Sequence, residues 1–380
     1  MPAGLYIHVP FCLRKCPYCD FYSNPFDKDL AQHFTDALKR DIAASSAGTP
    51  WSETTFTTLY IGGGTPTVLS APQLQGILDQ CLSTFQCEED IECTVEANPE
   101  TIEDEKLKIL YDSNVNRFSL GVQSLHDDEL RRLGRIHSVE TALKVFEAAR
   151  RVGFRNIGID LIFAIPGQSF ESWKESLHRA VALAPEHISA YNLTIEPKTV
   201  FAQDWADGKF SSFPEDQEAA MYEYAIDFLE SQGYEHYEIS NFARPGFRSQ
   251  HNQIYWDHSP YLGLGPSAHS FFDNCRAEKV RDVHEYIRRI ECGESPVGKD
   301  EILSEEKLRA EAVFLALRKR EGLNVNLFRK RFGTEVDERY GDIIKKYADM
   351  GLLERDGSFL RFTRKGLMVA NTICSEFMSP

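Results

Sequence analysis

Six short, β-rich apolar runs alternate with helical patterns through the first half of this 380-residue chain, and that alternation restricts its fold more than any other feature. The runs cover residues 5–9, 58–61, 91–95, 117–120, 157–163 and 188–193. The helical patterns between them cover residues 28–44, 71–85, 103–112, 139–152 and 170–183. Strands that alternate with helices are joined by crossovers and lie parallel in one sheet. Six such units suit a partial barrel or an open doubly wound sheet, and periodicity does not choose between them. In both, reactive groups gather at the carboxyl ends of the strands.

The chemistry-bearing residues obey that rule. Cys12, Cys16 and Cys19 follow the first strand, and Gly62, Gly63, Gly64 and Thr65 follow the second. Glu96 and Asn98 follow the third, Gly121 and Gln123 the fourth. Asp160 lies in the fifth, ahead of Pro166, Gly167 and Gln168. Asn192, Thr194 and Glu196 close the sixth. Six separate segments deliver polar or glycine residues to one rim.

The cysteines have the spacing C-x3-C-x2-C, with no further cysteine before Cys81. Three thiolates on one tight loop hold three irons of a four-iron cluster and leave the fourth iron open to chemistry. A structural zinc is the first alternative. It favours four ligands in paired short spacings, and here only His8 is near enough to serve as a poor fourth. Three ordinary buried cysteines are the second alternative, and Arg14, Lys15 and Pro17 make this a poor core segment. The other cysteines are scattered and the total of nine is odd, so the chain reads as a cytoplasmic protein and not as a disulfide scaffold. No run of eighteen apolar residues spans a membrane, and no basic leader precedes an apolar stretch. A net charge of −16 argues against nucleic acid as a partner.

Beyond residue 197 the pattern changes. A helix over 215–232 precedes an aromatic, Gly/Pro-rich stretch, and another helix is expected near 282–290. Helices over 305–320, 326–332 and 340–350, with a hairpin around Asp356 and Gly357, resemble a winged-helix module. Such modules often bind DNA, but the acidic chain favours a packing role. The expected division is a core domain over 1–235, a connecting region over 236–300 and a C-terminal unit over 301–380.

Each rim residue has a bland reading and a functional one. The three glycines form a flexible turn or allow a ligand close to the backbone; their spacing is not that of a phosphate-binding loop. Glu96, Gln123 and Asp160 are satisfied polar residues of a rim or ligand hydrogen-bonders. Arg135 is a surface charge or a fork for a carboxylate. An open iron beside such a rim suits a ligand with an amine, a carboxylate and a nucleoside, and S-adenosylmethionine (SAM) has all three.

Cys12, Cys16 and Cys19, with Tyr6, Ile7, His8, Val9, Pro10 and Phe11 before them, resemble the radical SAM superfamily and, within it, the HemN/HemW group. The segments 62–67, 95–99, 121–124 and 160–167 resemble that group in order and spacing. The resemblance implies a partial (β/α)6 radical SAM barrel with a smaller, mainly helical, winged-helix-like C-terminal domain. It implies that Cys12, Cys16 and Cys19 hold a [4Fe-4S] cluster. It places Tyr6, Gly63 and Glu96 around a first SAM, and Tyr18, Gly64, Thr65, Gln123, Arg135 and Asp160 around a second.

Two details separate the branches. The oxygen-independent coproporphyrinogen III oxidases carry a fourth cysteine two residues after the third, where this chain has Phe21, as in HemW proteins. They also carry a long extension before the first strand. The run His251, Asn252, Gln253, Ile254, Tyr255, Trp256 is similar to the HNxxYW signature of HemW. On that resemblance His251 is expected to contact haem; the bland reading is a packed loop. The resemblance thus implies a haem chaperone with haem, apo-haemoprotein acceptors (respiratory ones among them) and an electron donor as partners, with membrane-surface association and a homodimer. It assigns no catalytic residue. The competing expectations are an oxygen-independent coproporphyrinogen III oxidase and a radical SAM enzyme acting on an unrelated substrate.

Overall fold

The structure is a computed structural model and describes residues 2–211 and 213–378. All six expected strands are present: β1 (Ala3–Val9), β2 (Thr55–Gly63), β3 (Gln86–Ala97), β4 (Arg117–Gln123), β5 (Ile157–Phe163) and β6 (His187–Asn192). They pair side by side in that order, every pair parallel. The five crossovers carry α1 (Lys28–Ser46), α2 (Ala71–Thr84), α3 (Asp104–Asp112), α4 (Val139–Val152) and α5 (Phe170–Ala182).

Local chemistry explains these elements. In β1 nearly every residue is buried, as both faces of a parallel strand are covered. Leu5, Ile7 and Val9 meet the helical layer, while Gly4, Tyr6 and His8 alternate to the other face. Helix α4 starts where the Ser138 hydroxyl accepts the Thr141 N–H, and it stops at Gly153 with φ of 125°. Its buried Ala142, Val145, Phe146 and Ala149 form one stripe at helical spacing.

The sheet is wider than six units. Tyr261–Leu264 pairs in parallel with β1, and His269–Phe272, Cys275–Lys279 and Val297–Ile302 continue that edge antiparallel. At the other edge Asn241–Ala243 and Glu235–Glu238 add antiparallel strands to β6. The result is a twelve-stranded, mainly parallel sheet. Most of these added strands are only three to six residues long and broken by Gly or charge, so alternation did not mark them. In the C-terminal part, Glu305–Leu317, Val325–Phe332 and Val336–Asp349 surround a three-stranded sheet of Leu323–Asn324, Phe359–Phe362 and Leu353–Asp356. The last two strands form the expected hairpin.

One buried ion pair fastens the widened edge to the crossover layer. Lys279 Nζ lies 2.7 Å from Asp41 of α1, and Tyr286 donates to the same carboxylate at 2.8 Å. Lys279 and Asp41 side chains are 8% and 2% exposed, so water cannot replace a lost partner. Lys279→Ala is therefore expected to lower unfolding free energy by about 3–5 kcal/mol in urea titrations. The paired change Asp41→Leu with Lys279→Met should recover most of that loss.

Candidate functional site

The cysteine loop leaves the carboxyl end of β1 and is pinned at both ends. Phe11–Cys12 pairs in parallel with Asn24–Pro25. The Asn24 N–H donates to the Pro10 carbonyl at 2.7 Å, and the Phe26 N–H to the Cys12 carbonyl at 2.9 Å. The buried Phe11 ring meets Phe34 and Phe26 edge-on and anchors the base of the loop. The three cysteines border a cavity of about 440 Å³ at the carboxyl ends of β2 to β6. Tyr18, Gly63, Gly64, Thr65, Glu96, Gln123, Arg135 and Asp160 line the same cavity, with Asn98, Ser119, Tyr191 and Asn192. A cleft of about 570 Å³ between β6 and residues 367–372 carries no cysteine.

A directed chain of hydrogen bonds ends on two of the thiols. Arg135 Nη1 donates to Cys16 Sγ at 3.6 Å. Its Nη2 donates to Asn98 Oδ1 at 2.6 Å and to the Gly121 carbonyl at 3.0 Å. Asn98 Nδ2 donates to Thr65 Oγ1 at 2.9 Å, and Thr65 Oγ1 donates to Cys12 Sγ at 3.5 Å. Donors aimed at sulfur stabilise thiolates and tune a metal bound to them. The Cys19 thiol is pushed up to about 11, by burial first and by the neighbouring Cys16 and Cys12. A bound cation would supply the charge that turns such thiols into thiolates.

Zinc–thiolate bonds are about 2.3 Å long, so thiolates on one ion must converge on a point. Among the described residues no three His, Cys, Asp or Glu side chains converge that way. Cys12, Cys16 and Cys19 border one shared cavity. His8 is no fourth ligand, because its Nδ1 lies 3.1 Å from the Tyr6 hydroxyl and its Nε2 lies 3.0 Å from the Tyr22 carbonyl.

Opposite the thiols stand two half-buried carboxyls, Glu96 and Asp160. Glu96 Oε1 accepts from the Tyr60 hydroxyl at 2.6 Å, and Oε2 from the Gly63 N–H at 3.3 Å. Burial, with Asp160 nearby, still raises the Glu96 carboxyl to about 7. Burial also raises Asp160, against the opposing pull of Ser189, Arg117 and Ser119. Carboxyls held this way accept readily from an ammonium group or from sugar hydroxyls. Tyr60 was not singled out from sequence, although its period-two spacing from Gly62 puts it on the inner face of β2.

The three glycines serve close packing of the rim, and Gly63 and Gly64 also line the cavity. A Cβ on Gly62 would sit 2.9 Å from Glu96 Oε2, and one on Gly64 would sit 2.5 Å from the Phe11 carbonyl oxygen. Gly63 has φ of 112°, which L residues avoid.

Tyr6 and His251 do not reach the cavity lining. His251 lies on the helix Gln250–Trp256, not on a loop, and is buried. Its Nδ1 is 2.7 Å from Thr58 Oγ1 and its Nε2 is 3.0 Å from the Tyr255 hydroxyl. Its ring stacks on Tyr60 at 4.9 Å and on Tyr6 at 6.3 Å. Burial, then Arg117, lowers the imidazole to about 3. Both ring nitrogens are engaged within the protein, and His251 supports Tyr60 and, through it, Glu96. At the far end of the same helix, Trp256 lies under the Arg318 guanidinium at 4.9 Å, and Asp257 pairs with Lys319. The signature joins the barrel floor to the C-terminal unit.

Comparison with known proteins agrees with this architecture. Residues 6–180 match the Radical SAM superfamily, and residues 303–369 match the HemN C-terminal domain. The heme chaperone HemW of Bacillus subtilis is 37% identical over 98% of this chain and 98% of its own length. That of Lactococcus lactis is 36% identical over 99% of this chain and 97% of its own. That of Escherichia coli is 38% identical over 70% of each. Among solved structures, the coproporphyrinogen III oxidase HemN of Escherichia coli, a radical SAM enzyme, superposes with a TM-score of 0.85. It is 26% identical, and the match covers 100% of this chain and 90% of that one.

Two predictions follow from this geometry. SAM affinity of cluster-reconstituted protein should fall as pH drops through about 7, because Glu96 then takes up a proton and ceases to be an anionic acceptor. Glu96→Gln should weaken SAM by about 10- to 100-fold and abolish that pH dependence in equilibrium dialysis. His251→Ala should cost about 2–4 kcal/mol of stability, since it removes a buried ring and strands Thr58 and Tyr255. Haemin affinity of that variant, read from the Soret band, should stay within about twofold of the parent; a selective loss would restore His251 as a ligand.

Proposed function

This chain belongs to the HemW heme-chaperone family within the radical SAM superfamily, and on that premise we propose that it binds haem and hands it to apo-haemoproteins. The observation that carries the reading is full-length likeness: 37% identity over 98% of the chain to a heme chaperone. Superfamily membership implies a [4Fe-4S] cluster and SAM. In this reading Cys12, Cys16 and Cys19 hold the cluster. Arg135 and Thr65 donate to its thiolates. Glu96 receives the amine or ribose of SAM, with Tyr60 and the Gly63 N–H fixing its orientation. Gln123, Asp160 and Tyr18 complete the wall.

When bound, the reduced cluster supplies an electron able to cleave the SAM sulfonium bond. The residues themselves keep the thiols together, exclude bulk water behind Tyr18, and hold an anion at Glu96 above about pH 7. The reading keeps the division at residues 235 and 300, a cytoplasmic setting, respiratory acceptors near membrane surfaces and a homodimer. No helix among the described residues is long and apolar enough to cross a membrane.

The oxidase alternative draws on the shared fold with HemN. Against it stands Phe21, where the oxidases carry a fourth cysteine. Anaerobically reconstituted protein is expected to bind haemin with a shifted Soret band and to restore the spectrum of an added apo-haemoprotein. It is also expected to leave coproporphyrinogen III unconverted in the presence of SAM and a reductant. Formation of protoporphyrinogen would replace the chaperone reading with the oxidase one.

A further inference from the structure

His251 is buried with both ring nitrogens engaged, which leaves the seat of the haem to be found. We infer that it lies across the mouth of the cysteine cavity, on a collar of exposed apolar side chains, with its carboxylates at Arg14 and Lys15; this rests on the haem-binding reading above. Among the described residues twelve large apolar side chains are exposed; Phe21 and Tyr191 line this cavity, and Leu13, Ile136, Val200 and Trp205 lie on segments next to it. Such side chains ordinarily scatter singly over a surface, and a concentration marks a binding site.

The geometry brings the six together. Leu13 and Phe21 belong to the cysteine loop, and Phe21 and Tyr191 line the cavity itself. Ile136 follows Arg135, and the turn before it presses on the loop: a Cβ on Gly134 would lie 2.5 Å from the Pro17 ring. Val200 and Trp205 lie on the helix Val200–Ala206. That helix is docked by the Phe201 N–H, which donates to the Pro17 carbonyl at 3.0 Å, and by the Phe201 ring at 6.1 Å from Tyr18. Phe21 is 66% exposed and Trp205 49%, so the collar faces outward.

Charge selects the occupant. Arg14 and Lys15 also line the mouth. Lys15 donates to the Phe21 carbonyl at 3.1 Å, and neither residue has a carboxylate ion-pair partner among the described residues. Asp20 is the one acidic residue on the same loop. Two cations without a carboxylate partner beside exposed apolar side chains, in a chain of net charge −16, fit a broad apolar plane that ends in carboxylates. A haem placed there caps the cavity, so SAM must enter first and leaves only after haem has gone.

The test uses the full chain with its cluster rebuilt, titrated with haemin and separately with SAM. Val200→Ser with Trp205→Ser should weaken haemin by about tenfold or more and leave SAM affinity without haemin unchanged. Arg14→Glu with Lys15→Glu should weaken haemin but not its dimethyl ester. Haemin should slow SAM dissociation from the parent by about tenfold, and the collar variant should lose that effect. If the parent binds haemin and the collar variant binds it equally well, the seat is wrong while the haem reading stands. If that variant keeps haemin but no longer binds the apo-haemoprotein, the collar docks protein and the seat is again overturned. A parent that binds no haemin overturns both the seat and the reading beneath it.

Discussion

The guanidinium of Arg135 is the interaction on which the rest of the rim depends. It is delivered after β4, yet it touches a thiol of the β1 loop and a side-chain amide that follows β3. Through Asn98 it reaches Thr65 after β2, and Thr65 reaches the first cysteine. Four segments remote in sequence are thereby held to one another by half-buried polar contacts, which are stronger than the same contacts in open water. The three thiols need this external frame because a short loop carrying Arg14, Lys15 and Pro17 has little apolar material to bury. Its buried apolar anchor is Phe11.

The frame also explains why the carboxyls sit where they do. Glu96 is desolvated, but two donors of the chain already address it. It therefore stands between protonation states near neutral pH instead of being locked in one. Such poise is characteristic of groups that exchange their partners with a ligand. The wall behind it is a stack of rings, His251 on Tyr60 and Tyr6, which fixes the angle of the Tyr60 hydroxyl.

Much of this was legible from sequence because parallel β/α units announce themselves through local signals. The strand over 157–163 and the helix over 139–152 match the expected limits, since apolar runs and the Ser138 and Gly153 caps mark both ends. The rim residues were legible because each lies within or just past a strand. The strand Tyr261–Leu264 was not found: four residues, one of them glycine, have no period of their own and take their place only by pairing with β1. The packing of His251 was equally hidden. Its partner Thr58 is 193 positions away, and nothing in the motif distinguishes an imidazole that faces a ligand from one that closes a core. Tyr60 escaped because a tyrosine in an apolar strand reads as packing until its acceptor, Glu96, is seen.

The helix Gln250–Trp256 is only seven residues long, yet Glu92 of β3 accepts the backbone N–H groups of both Gln250 and His251 at its start. From there its first turn is rooted in the barrel floor and its last turn in the C-terminal unit. A rivet of this kind makes the two parts melt together. Loosening either end frees the other, and the chain gains a single cooperative transition from what, by length alone, would be two independent bodies.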